Sequence, residues 1–426
     1  PYAYDSGGLK ISEVEEDRRQ SRKNNFDYDT YEKVRHVKTG LSWKHINDNN
    51  SFIDSYFFYQ KRDFNSKLPF NYGGIIFLER DYYGIGTKYS KKFVSANKTR
   101  TVTLGIDHTN QHDDRKRFKN NLGEQGEKTF DQIEKFKNTG VYLINQTEYE
   151  SGLLFRYGVR FDDNKIGTDS EEFISLNKFN PSLGLSYSIN DSNNVYFSAG
   201  TSFETPTLNE LSNNPNGNGL NKNLDPSSSI NYEIGWRKSA SNLLLQATAY
   251  LINTDNEILP YEIEEFPGKN FYRNVGSTRR YGIELSSQLL FSSGKLNLSY
   301  TNSKNLFKDF NLNGNDLKDL SLPGIPDQIL DIELIFNLSK RRAVLINNRL
   351  IGELFADNLN ETQVSSYNLL NITYSKQIFN NSEIYLGVNN LLDVNYFDNI
   401  RINAFGKRYY EPAPKRNIHF GLNLSF

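Results

Sequence analysis

A large antiparallel transmembrane β-barrel is the fold this sequence predicts, and three observations predict it. Amphipathic segments of strand length recur from residue 31 to the end. The connections between them alternate short and long. The last eleven residues, 416–426, alternate Ile418, Phe420, Leu422, Leu424 and Phe426 with His419, Gly421, Asn423 and Ser425, and finish on the aromatic. Period-two alternation over that length means a strand with one apolar and one polar face.

Composition points the same way. The chain carries 27 Tyr and 29 Phe, no Cys and no Met, at a formal net charge of −1. Mean hydropathy is nevertheless low, −0.66, and no stretch approaches the ~18 apolar residues of a membrane-spanning helix. Transmembrane barrels have this signature, because lipid-facing residues alternate with polar lumen residues. A near-neutral charge gives no electrostatic case for nucleic acid. No signal peptide is present and the chain starts at Pro1 without an initiator Met, so it is read as a fragment whose N-terminus is missing.

Along the chain, residues 1–30, rich in charge and Gly, are expected to form an extracellular loop, and 31–426 to be strands and loops of one domain. The first strand is expected over 31–45. Later ones include 102–106, 153–161 (Phe155, Tyr157, Val159 and Phe161 against Arg156, Gly158, Arg160 and Asp162), 183–187, 195–203, 232–237 and 281–289. A soluble β-sandwich would show the same two-faced strands, so the connections decide. Short ones fall at 47–50, 150–152, 190–193, 238–242, 292–294, 339–342 and 380–382. Long ones fall at 109–136, 205–228, 253–270, 305–326 and 393–414. Short periplasmic turns alternating with long outer loops are the rhythm of outer-membrane barrels. About 17 strands result. A closing strand that enters the periplasm puts every short turn there and sends the first strand downward. Closed bacterial barrels have even strand numbers, so an odd number is missing. Loss of about five from a 22-stranded transporter barrel fits.

Asp107, His108, His112, Asp113 and Asp114 offer N/O metal ligands within eight residues. Their spacing matches no standard zinc pattern, and the cluster is read as the solvated base of a loop, with no metal site. There is no Cys nucleophile and no Gly-x-Ser-x-Gly motif, and an enzyme is not expected.

The resemblance rests on motifs that occur in a fixed order. These are Pro1-Tyr2-Ala3 with Gly7-Gly8-Leu9 and Asp17-Arg18-Arg19, then Asp113-Asp114-Arg115 with Asn120-Asn121. Next come Phe203-Glu204-Thr205-Pro206-Thr207 with Leu211 and Leu224-Asp225-Pro226, then Asn274-Val275-Gly276 with Tyr281-Gly282-Ile283-Glu284. Gly387-Val388-Asn389-Asn390-Leu391-Leu392-Asp393 and Arg408-Tyr409-Tyr410-Glu411-Pro412-Ala413-Pro414-Lys415-Arg416-Asn417 complete the series. Over essentially its whole length the chain resembles a TonB-dependent outer-membrane receptor, nearest to the ferric-siderophore branch and to ferric-citrate-type receptors. Lys415 stands where that branch often has Gly. The terminal Phe426 resembles the signal read by the barrel-assembly machinery of Gram-negative bacteria.

The resemblance implies an importer in the cell outer membrane, powered by proton-motive force through the TonB–ExbB–ExbD complex. It also implies an N-terminal plug that blocks the lumen; neither plug nor TonB box occurs in these residues. The cargo implied is a siderophore or ferric citrate, an Fe(III) chelate carried as substrate, with no resident cofactor. Ferric chelates are usually anionic, so outward Arg groups offering bidentate hydrogen bonds are the expected tools. Arg273, Arg401 and Arg408 at strand–loop borders, with Tyr409 and Tyr410 beside the last, are the expected ligand contacts; the outer aromatic girdle is the competing role for each Tyr. Arg156, Arg160, Glu233, Arg237 and Glu284 are expected in the lumen, paired across the wall. Tyr232, Trp236, Tyr281 and Phe426 are expected to face lipid. A plug-less passive porin and a soluble β-sandwich or adhesin-like surface protein are the alternatives.

Overall fold

A computed structural model of the chain describes residues 1–47, 49–217, 219–379 and 382–424. The short strand β1 (Tyr2–Tyr4) and helices α1 (Ile11–Glu16) and α2 (Lys23–Asp27) precede the wall. The wall begins with β2 (Tyr31–Asn47), β3 (Ser51–Lys67), β4 (Ile75–Ser95), β5 (Lys98–Asn121), β6 (Glu124–Tyr149), β7 (Leu153–Thr168), β8 (Ile174–Asn190) and β9 (Asn193–Glu204). After helix α3 (Leu208–Ser212) come β10 (Ser227–Ser239), β11 (Leu243–Tyr261), β12 (Phe271–Phe291) and β13 (Gly294–Asp309). A loop hairpin of β14 (Asn311–Leu312) and β15 (Asn315–Asp316) precedes β16 (Gln328–Ser339) and β17 (Arg342–Ile351). A second loop pair, β18 (Leu354–Phe355) and β19 (Gln363–Val364), leads to β20 (Tyr367–Phe379) and β21 (Ser382–Asn389). A third, β22 (Phe397–Ile400) with β23 (Tyr410–Pro412), precedes the closing strand β24 (Asn417–Leu424).

Each wall strand pairs antiparallel with the next in sequence, giving one 18-stranded sheet. β1 is its shortest member, capping the top of β2 through Tyr2↔Lys33 and Tyr4↔Tyr31. Setting β1 aside leaves the seventeen strands expected from the alternation. Among the described residues no helix is long and apolar enough to cross a membrane. The crossing elements are strands, whose backbone groups are satisfied by their neighbours and can therefore tolerate lipid.

Directly opposed residues on adjacent strands share a face, so the register defines the outer belt. Phe197, Ile234, Ala249 and Ile283 form one transverse row across β9 to β12. Together with Leu185, Tyr187 and Trp236 they make a continuous apolar surface. Ile234 is 61% and Ile283 53% exposed, which a water-facing surface would not sustain in a contiguous patch of this size. Tyr232 and Tyr281, each exposed, lie one row higher at the girdle. The lipid-facing assignment of these three aromatics follows. Phe426 lies outside the described residues.

The opposite face is polar. Arg160 bridges Asp107 and Asp162, each at 2.8 Å; Tyr196 donates to Glu233 at 2.6 Å; and Arg237 donates to Gln246 at 3.2 Å. Arg156 and Glu284 line a lumen cavity of about 770 Å³ with Arg280 and Glu233. Cross-strand glycines make room on this face for large rings. A Cβ on Gly105 would stand 2.2 Å from Tyr142, and one on Gly421 2.0 Å from Tyr385.

One connection departs from expectation. The span 109–136 is not a loop but the upper half of the β5–β6 hairpin, closed by a two-residue turn with Leu122 at φ 50° and Gly123 at φ 98°. Positive φ at both central positions is what a type I′ hairpin turn demands. The segment reads as a loop because it stands clear of the bilayer, where both faces are polar and no hydrophobic period survives. Likewise 253–261 extends β11, leaving 262–270 as the true loop.

Strand geometry also divides the Asp107–Asp114 cluster between the two faces of β5. Alternation sends Asp107 and Asp113 to the inner face and His108 and His112 to the outer. Asp113 is paired with Arg80 at 2.6 Å, Asp114 with Lys116 at 2.7 Å, and His108 Nδ1 lies 3.0 Å from the Thr139 hydroxyl.

Candidate functional site

The buried apolar clusters of this protein lie in the extracellular loops, which fold inward over the lumen. Ile166, Leu208, Leu211, Leu220 and Leu224 form one, anchoring α3 beneath the 205–226 loop. The helix starts at Thr207, whose hydroxyl accepts from the Glu210 amide at 3.2 Å while Glu210 reaches back to the Thr207 amide at 2.7 Å, a reciprocal cap of the kind that fixes short helices. Ala356, Val364, Ala404, Tyr409 and Tyr410 form another cluster, and Val275, Phe307, Leu317 and Leu322 a third.

The expected ligand contacts separate into two groups. Tyr409 and Tyr410 are buried in the second cluster. Burial pushes the Tyr409 phenol up to about 12. Arg401 is held by Asp5 at 2.7 Å and by Glu411, and Arg408 grips Glu13 in a bidentate pair at 2.6 and 2.9 Å. Leu9 and Tyr410 exchange backbone hydrogen bonds at 2.9 and 3.2 Å. Residues 1–30 are thus lashed to the 397–412 hairpin. Arg273 lies apart, its guanidinium 3.7 Å above the Tyr261 ring. Arg401 lines a cavity of about 500 Å³ whose other charged groups are Asp5, Glu32, Glu262 and Glu411, so its charge is matched within the protein.

The Glu13–Arg408 clasp carries a pH dependence. Burial pushes the Glu13 carboxyl up, but the Arg408 guanidinium and the Lys10 amide outweigh it and hold the group below its ordinary value. A depressed carboxyl stabilises docking above its unfolded pKa and loses that contribution as pH falls through the folded value. Limited proteolysis of residues 9–20 is expected to accelerate as pH drops below about 4, and Arg408→Ala to be already accelerated at pH 7 and insensitive to that drop.

A second cavity, of about 330 Å³, has the opposite character. Arg62, Arg80, Arg115 and Lys269 line it, with Phe64, Asn209, Asn213 and Tyr272. Arg115 and Arg117 are i and i+2 on β5, so both project inward from one strand. Arg115 is 2% exposed; its Nε donates to Glu134 at 2.8 Å, but its Nη2 has no partner among the described residues. Arg117 donates Nη2 to the Ser212 carbonyl at 3.1 Å and to Asn213 Oδ1 at 3.0 Å and sits 5.1 Å over the Phe130 ring; its Nε is likewise unpartnered among the described residues. Burial, reinforced by Arg115, lowers the Arg117 guanidinium to about 10. Burial pushes the Glu134 carboxyl up against the pull of Arg115. Lys269, on the 262–270 loop, contacts the rings of Phe266 and Phe271 at 5.2 and 4.6 Å.

Buried guanidinium donors without acceptors are costly, and oxyanion oxygens are acceptors of the kind that would satisfy them. Sequence reasoning finds none of these five cations. The available signal is the same-face series Asp113, Arg115, Arg117, which stays hidden while the segment reads as a loop. Lys269 carries no local signal, since its place depends on a loop folding back over β5.

Relatives of known structure or function share this architecture. Residues 1–391 match the family model described as TonB dependent receptor-like, beta-barrel. A vitamin B12 transporter, BtuB, from Photobacterium profundum is 27% identical over 286 residues, covering 65% of this chain and 42% of that protein. Among solved structures, the ferric citrate transporter FecA in its unliganded form superposes with a TM-score of 0.79 at 18% identity, covering 99% of this chain and 65% of that one. The ferric-catecholate import receptor Fiu from Escherichia coli K12 gives 0.72 at 17% identity, covering 92% and 64%. The chain spans less than two thirds of the length of each of these.

Proposed function

This chain belongs to the TonB-dependent receptor-like β-barrel family of outer-membrane proteins, and on that premise we propose that it forms the wall and ligand-receiving mouth of a receptor importing an anionic ferric chelate. One observation carries the anionic choice: Arg62, Arg80, Arg115 and Lys269 converge on one partly buried cavity with Arg117 beside them, Glu32 is the one carboxylate in its lining among the described residues, and the ion pairs described there are Arg80–Asp113 and Arg115–Glu134. Citrate-like or catecholate oxygens would satisfy the free Arg115 Nη2 and Arg117 Nε. Arg273, Arg401, Arg408, Tyr409 and Tyr410 enter this proposal as the frame of the mouth, holding the outer loops in place around the cavity. Energised release, through TonB–ExbB–ExbD acting on a plug seated in the polar lumen, belongs to the same proposal, as does the ferric siderophore or citrate cargo.

Uptake of ⁵⁵Fe supplied as citrate or catecholate chelates tests it, in cells dependent on this receptor, with and without TonB. Arg117→Gln is expected to weaken chelate binding by about tenfold or more, the loss of one charge-assisted hydrogen bond of ~1.5–3 kcal/mol. Uptake that survives TonB deletion sinks the energised reading. Uptake of cyanocobalamin but of no ferric chelate sinks the cargo.

A further inference from the structure

Lys269 is the one lysine among these five cations, and unlike Arg80 and Arg115 it has no anionic partner among the described residues. Among the described residues no carboxylate stands within ion-pair distance of its ammonium, and its contacts are the faces of Phe266 and Phe271. It arrives on a loop, opposite two guanidiniums fixed on β5, and it shares the cavity with one of them. Resting on the anion-receptor reading above, we propose that Lys269 is a ligand-contacting residue and that oxyanion binding at this cavity is coupled to uptake of one proton by its amine.

The physical basis is that three cations crowd one low-dielectric space. A guanidinium does not shed its proton in the working range; a lysine can. Burial first, then repulsion from Arg117 and Arg115, brings the Lys269 amine down to about 7. An anion placed between the three groups removes the repulsion and restores the charged form. Between the free and the ligand-bound pKa, affinity then falls by up to tenfold per pH unit as pH rises, because a raised pKa in the complex stabilises it only while the proton is available.

The other groups facing this space do not reproduce that behaviour. Arg80 is locked to Asp113 in a 2.6 Å pair. Arg62 on β3 and Glu32 on β2 complete the charged lining of the cavity. Burial raises the Tyr272 phenol on β12, away from neutrality, and Glu210 is engaged in the α3 cap. Glu262, on the same loop as Lys269, accepts from the Gly268 amide at 3.1 Å. Glu134 is the one competitor, since its raised carboxyl would also take up a proton as pH falls.

Titration calorimetry on the detergent-solubilised receptor decides. The probe is benzene-1,3,5-tricarboxylate, fully ionised across the range, titrated at pH 6 and pH 8 in buffers of different ionisation enthalpy. Uptake approaching one proton at pH 8 is expected, with affinity about tenfold weaker than at pH 6. Lys269→Arg is expected to abolish the uptake and flatten the pH profile at the tight level; Lys269→Gln is expected to flatten it at the weak level. Uptake that persists in Lys269→Arg assigns the proton to Glu134 and overturns the proposal. Arg117-dependent binding with no uptake also overturns it, leaving the anion receptor intact. No binding at either pH overturns both.

Discussion

Replacing Arg115 by alanine is expected to lower hydrogen-exchange protection across the upper β5–β6 hairpin by about two to four orders of magnitude, the signature of ~3–5 kcal/mol of lost local stability. The reason is the state in which Glu134 is left. Its side chain is fully buried and its ion-pair partner is Arg115, at 2.8 Å; its second oxygen already lacks a hydrogen bond among the described residues. Removing the guanidinium strands a carboxylate in a space that also excludes water. The pair itself contributes little net stability, because two charges had to be desolvated to form it. Arg115→Met combined with Glu134→Leu is therefore expected to recover most of the lost protection while abolishing oxyanion binding. If Arg115→Ala alone leaves exchange unchanged, the inner-face burial of β5 is wrong.

The second large effect lies at the other face of the wall. Ile283→Lys or Leu285→Lys is expected to destabilise the inserted barrel by about 2–4 kcal/mol, whereas Glu284→Lys, between them in sequence, costs far less. Ile283 sits in the row Phe197, Ile234, Ala249, and Leu285 in the row Val195, Trp236, Ala247. A charge there must cross or dent the hydrocarbon, while one at Glu284 enters the polar lumen beside Arg156 and Arg280. Urea titration of variants refolded into vesicles measures the difference. Equal losses at 283 and 284 would mean that the faces have been assigned backwards.

The contrast between these two positions explains what sequence can and cannot convey. Where the wall crosses lipid, each residue answers to its own surroundings, and Ile283 beside Glu284 announces two faces unaided. That is why the seventeen wall strands and the outward aromatics Tyr232, Trp236 and Tyr281 are legible. Above the bilayer the constraint disappears. The upper β5–β6 hairpin is polar on both sides, closed by Leu122-Gly123 rather than by a familiar Asn-Gly pair, and it reads as a loop. The cationic cavity is illegible for a further reason, since it is assembled from β3, β4, β5, α3 and the 262–270 loop, positions brought together only by tertiary folding. Conversely, Arg401 and Arg408 stand out as conspicuous outer arginines beside tyrosines, yet sequence gives no hint that Asp5 and Glu13, almost four hundred positions earlier, take up their charge.

That last pairing has a kinetic consequence. Nearly every contact in the wall joins a strand to its neighbour in the chain, so hairpins can form one after another with short loops to close. The Asp5–Arg401 and Glu13–Arg408 clasps and the Leu9–Tyr410 bridge instead join segments almost four hundred residues apart. Each doubling of such a circuit adds only ~0.6 kcal/mol of entropy cost, but the search for the right partner must wait until the intervening wall has brought the two segments together. The clasps are thus a late checkpoint. A barrel whose strands have slipped by one register would present the 397–412 hairpin to residues 5–13 out of reach, and a misassembled molecule would be marked by a loose, protease-accessible 1–30 segment.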